Sequence, residues 1–69
     1  HMQRSLTEAF RRGQTNGALK LTFDCDTVAW FFLAGLEGSY SMAKVSKSGD
    51  VFKRSMQQLI HFLETLRQT

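Results

Sequence analysis

From Asp24 to Ser48 the chain carries apolar side chains along two stripes of one helical repeat. Val28, Phe32, Leu36 and Ala43 recur at spacings of three, four or seven. Phe31, Gly35, Gly38, Met42 and Val45 form a second stripe, rotated away from the first. A helix on the outside of a small domain needs only one apolar face. A helix with two has to bury both, and this chain has little else to cover it with. The pattern therefore predicts that the second face is covered by another copy of the chain, in an isologous homodimer.

Two further elements flank this long helix. Ser5-Leu6-Thr7-Glu8 reads as a capping box opening a short helix, with Leu6 and Phe10 as its narrow apolar face and Gly17 as a left-handed C′ residue after Asn16. Residues 18–23, ALKLTF, alternate like a strand but have no second strand to pair with. They are expected to be an extended connector with Leu19, Leu21 and Phe23 pinned onto the helices. Asp24 is a good N-cap and Asp26 suits the first turn. Lys44 and Lys47 lie near the far end, so one helix of roughly 23 residues, about 35 Å long, is expected. Ser46-Lys47-Ser48-Gly49 breaks it, and Ser48 is placed to cap a third helix. There Phe52, Met56, Leu59, Leu63 and Leu66 follow a 4-3-4-3 seam, widened by Ile60. The fold class is all-α: three helices, one short, one long and one amphipathic at the C-terminal end.

Length sharpens the dimer expectation. A 69-residue chain buries only about 60% of its unfolded surface and is marginal alone. The single Cys25 excludes an internal disulfide, and with His61 it cannot complete a tetrahedral metal site. No metal or cofactor is expected, so self-association is the remaining staple. His1-Met2 reads as the remnant of an expression tag, with residues 3–69 as the working unit.

No run reaches 18 apolar residues and no export signal is legible, so neither a membrane span nor secretion is expected. An unpaired cysteine then suggests a reducing cytoplasm. The net charge of +3 and pI of about 9.5 come from scattered pairs (Arg11-Arg12, Lys44/Lys47, Lys53-Arg54) rather than one basic face, which favours a solvated surface over a phosphate-binding one.

Candidate chemistry is sparse. His61 on the third helix has no partner that would make it a base, and Cys25 reads as a small first-turn residue. An enzyme is the weakest reading. Glu37, inside the apolar run, either reaches solvent past a neighbour or accepts hydrogen bonds from a partner chain. Gly35 and Gly38, with Ala34, Ser39 and Ser41, make a patch of small residues in mid-helix. Each glycine there destabilises the helix by about 1 kcal/mol, which invites close helix–helix contact, although room for a side chain of the same chain is the alternative. Of the consecutive rings Trp30, Phe31 and Phe32, at least one has to face away from the local core. Trp30 and Phe31 are candidates for one wall of a small-molecule pocket.

The segment FLAGLEGSYSMAKVSKSGDVF, residues 32–52, with FRRGQTNGALK before it and HFLETL after it, resembles the C-terminal end of TetR-family transcriptional regulators. The shared features are a Leu-Glu-Gly step, an Ala-Lys pair, a short break and a final helix ending in Phe-Leu. The break here is Ser48-Gly49, where relatives commonly have Asp-Pro. The resemblance spans residues 4–67. It implies that the last two helices pack against their symmetry mates as a four-helix bundle in a ligand-responsive repressor. It also implies that operator DNA and a small-molecule effector are bound through regions mostly absent here, the helix-turn-helix reader among them. The interface residues expected are Gly35, Gly38, Ser39 and Met42 on the long helix, and Phe52, Met56, Leu59 and Leu63 on the last. Within one helix some of these have to face the chain's own core. Two other readings remain: a basic nucleic-acid-binding dimer, or a helical groove for a partner helix.

Overall fold

Three helices account for most of the chain in the computed structural model, which describes residues 2–68. They are α1 (Met2–Thr15), α2 (Cys25–Ser46) and α3 (Gly49–Glu64). The all-α class and the three-helix order follow the hydrophobic pattern. His1 of the expected tag remnant lies outside the described residues. The long helix α2 packs on both others, whereas α1 and α3 make no helix–helix contact with each other.

The N-terminus of α2 forms as its sequence directs. Asp24 adopts an extended backbone, and its carboxylate accepts from the Thr27 N–H at 3.3 Å and from the Thr27 hydroxyl. The Thr27 hydroxyl bond, with help from backbone N–H groups, holds the Asp24 carboxyl below the ordinary aspartate value of 3.8. A carboxyl whose pKa is lower folded than unfolded contributes stability above the unfolded value and loses it as pH falls through the folded one. Asp24→Asn, which keeps a neutral acceptor, should therefore flatten the acid side of the melting-temperature profile below pH 3.8. A thermal scan across that range checks it; superimposable acid limbs count against an ionised cap.

Four details depart from the sequence reading. First, α1 begins at Met2, so Ser5 lies inside the helix and its box caps nothing. Residues 2–4 contain no helix breaker, and Gln3 is tied down by its side-chain amide, which donates to the Asp26 carboxylate at 2.7 Å. Second, Leu21 is 78% exposed instead of pinned; Leu19 and Phe23 are half-buried, with Phe23 edge-on to Phe10 at 6.0 Å. Third, Ser48 stands at the N-cap of α3 but makes no side-chain capping bond. The preceding turn is instead made by Lys47, whose φ of 55° is left-handed. Its own N–H and that of Ser48 close back onto Lys44 and Ala43 carbonyls. Fourth, α3 stops at Glu64, so Leu66 lies past the helix although it is buried.

That last departure has a local cause. The connector does find a partner: Leu19 and Arg67 form an isolated antiparallel bridge. The Lys20 N–H donates to the Leu66 carbonyl at 2.8 Å, and the Gln68 N–H to the Ala18 carbonyl at 2.9 Å. Leu66 is turned inward by this bridge rather than by helical periodicity. Gln14 fixes the other side of the connector, donating to the carbonyls of Lys20 and Phe23 at 3.0 Å each. Gly13 makes room here, because a Cβ on it would collide with the Leu19 side chain.

The core enclosed in this way is small. Cys25, Ala29, Leu59 and Leu66 are its buried apolar members, and no large side chain among the described residues is fully enclosed. The Cα envelope measures 41 × 27 × 13 Å, little more than one helix deep in its thinnest direction. The radius of gyration is 13.4 Å, against roughly 11 Å for a self-contained domain of this length. The accessible surface is 5207 Å², against about 4,400 Å² for an average monomer of this mass.

Candidate functional site

The least satisfied part of this structure is the outward side of α2. Trp30, Phe31, Met42 and Val45 are 59, 56, 57 and 75% exposed. Ala34, Gly38 and Ser41 between them are exposed as well. At 100° per residue these seven positions fall within about a third of the helix circumference. They make one apolar strip, crossed in its middle by residues too small to stand above the backbone. Scattered exposed apolar residues are ordinary, but a contiguous strip marks a contact surface.

The expected interface residues divide into three groups. Gly35, Ser39 and Leu59 belong to the chain's own core: Ser39 and Leu59 are buried. A Cβ built on Gly35 would meet Leu59 Cδ2 at 2.5 Å, so the room left by this glycine is filled from within the chain. Met56 and Leu63 are half-buried on the same seam, which holds α3 to α2. Gly38 and Met42 remain open, and nothing of the chain lies within 4 Å of a Cβ on Gly38. Phe52 is partly exposed but lies at the elbow between α2 and α3, away from the strip.

What the sequence reading missed is the side of α3 that continues the strip. Phe31 meets Phe62 edge-on, with ring centroids 5.1 Å apart and planes at 62°. Phe62 and the half-buried Ser55 and Val51 thus border the open face of α2. The 4-3-4-3 seam occupies the neighbouring stripe of α3, roughly 80° around the helix. Phe62 stands outside that seam, and only its contact with Phe31 reveals its place.

The residues considered for chemistry are dispersed. Cys25 is buried at the start of α2, His61 is exposed on α3, and Glu37 points into solvent. Among the described residues no three His, Cys, Asp or Glu side chains are grouped as metal ligands, and no helix is long and apolar enough to cross a membrane. The one ion pair among them is exposed, Arg54 to Asp50 at 3.7 Å. It adds little stability.

Compared with known proteins, residues 1–59 match the family model described as "Tetracyclin repressor-like, C-terminal domain". No curated protein and no solved structure matches the chain.

Proposed function

The chain belongs to the tetracyclin repressor-like C-terminal domain family, and from that membership we propose that it is the dimerisation portion of a TetR-like, ligand-responsive transcriptional repressor. The family places it with the regulatory part of transcription regulators. The observation that carries the finer reading is the open strip of α2, with Gly38 at its middle and Phe62 of α3 at its border. Two such strips meeting about a two-fold axis bring α2 and α3 of each copy into a four-helix arrangement. Gly38 and Met42 are then the interface residues on α2, with Phe31 and Val45 beside them. Gly35, Ser39 and Leu59 act one step back, by holding α3 in register with α2.

Operator binding and effector binding are assigned to other parts of the parent protein. The exposure of Trp30 and Phe31 toward the N-terminal end of the strip supports them as residues of this chain for one wall of an effector pocket. Sedimentation equilibrium at micromolar concentration tests the dimer directly. The expected result is twice the chain mass; a single-chain mass throughout the accessible range overturns it.

A further inference from the structure

A second apolar feature lies at the elbow where α2 gives way to α3. A hollow of about 400 Å³ opens there, floored by Tyr40, Ala43 and Phe52 and flanked by Lys44 and Lys47. That volume is within the range of small-ligand sites. Tyr40 and Met42 are two positions apart and so about 200° apart around the helix, which puts the hollow on the other flank of α2 from the proposed dimer face.

Its charge is one-sided. No carboxylate lines it, and neither lysine is paired with an acidic side chain among the described residues. Asp50, the nearest acid in sequence, is engaged with Arg54. The Lys44 ammonium stands 5.3 Å from the centroid of the Tyr40 ring, over the apolar floor. Lys47 is held at the lip by a left-handed backbone that glycine would adopt at lower cost.

We propose that this hollow binds a small apolar carboxylate, an aliphatic or aryl acid. The carboxylate sits between the Lys44 and Lys47 ammonium groups, and the hydrocarbon lies against Tyr40 and Phe52. The apolar floor gives affinity for the tail, and the unopposed cations select the anionic head. If the lysines served only to complement the end of α2, they would matter to stability and not to the choice of ligand.

The test is a titration of the isotope-labelled chain, followed by backbone amide shifts, with octanoate, 1-octanol and octylamine. Octanoate is expected to give saturable shifts confined to the stretch from Tyr40 to Phe52, with a dissociation constant on the order of 1 mM. Octanol and octylamine should bind roughly fivefold more weakly, and added salt should weaken octanoate alone. Lys47→Gly removes one cation while placing glycine at a positive φ, so the fold persists. It should lower octanoate affinity toward that of octanol and leave octanol unchanged. Equal binding of octanoate and octanol overturns the proposal. So does an unchanged octanoate affinity in Lys47→Gly, or the absence of saturable shifts. None of these outcomes depends on the mass of the assembly.

Discussion

Gly38→Leu is expected to sediment as a single chain at concentrations where the unsubstituted protein is a dimer, while remaining at least as helical. Within one copy the substitution meets nothing, since no atom lies within 4 Å of an added Cβ. Leucine is also the better helix former, by roughly 1 kcal/mol. Between two copies the same side chain stands where the backbones have to approach. Overpacking costs about 1–3 kcal/mol per site. A two-fold axis applies it twice, which weakens association by a factor of roughly 30 to 10⁴. The opposed signs are what make the result informative. A variant that unfolds would indicate a hidden contact inside the chain, and one that stays dimeric would remove Gly38 from the interface. Circular dichroism alongside sedimentation separates these outcomes.

Leu59→Ala is expected to have the largest effect on folding itself. Leu59 is a buried core residue, and its methyl groups occupy the space that Gly35 leaves open. Truncation should cost about 2–5 kcal/mol. For a chain with so small a core that is a large part of any stability it has. Urea unfolding at fixed chain concentration measures it. The double variant with Gly35→Ala should recover on the order of 1 kcal/mol, because the new methyl group enters the vacated space and the helix gains alanine. In the Leu59 background the glycine change should be less favourable or unfavourable, since the added Cβ would crowd Leu59. Strict additivity of the two changes would mean that these residues do not meet.

The legible part of this fold was the part set by local periodicity. Two stripes on α2 announced a helix with an unpartnered face, and Asp24 marked its start to the residue. The ends of the other elements were harder, because tertiary contacts set them. Ser5 looked like a cap until Gln3, earlier in the chain, found Asp26 and carried the helix back to Met2. Leu66 continued the seam of α3 by spacing, yet it is buried by a bridge to the connector. The division of the interface candidates could not be read from spacing, since Gly35 and Gly38 are chemically identical and only three positions apart. One is filled by Leu59 and the other is empty. Phe62 was missed because its importance comes from Phe31 across the helix pair, not from its own repeat.

The pairing of Leu19 with Arg67 bears on the order in which the molecule assembles. Helices form within about a microsecond from neighbours in the sequence, whereas this tie joins positions separated by most of the polymer. Contacts between such distant points carry the steepest closure entropy and are established late. Loosening that lace, for example by trimming the final residues, should accelerate unfolding far more than it slows collapse. The tail thus acts as a brake on disassembly, anchored just past Phe62 at one border of the strip.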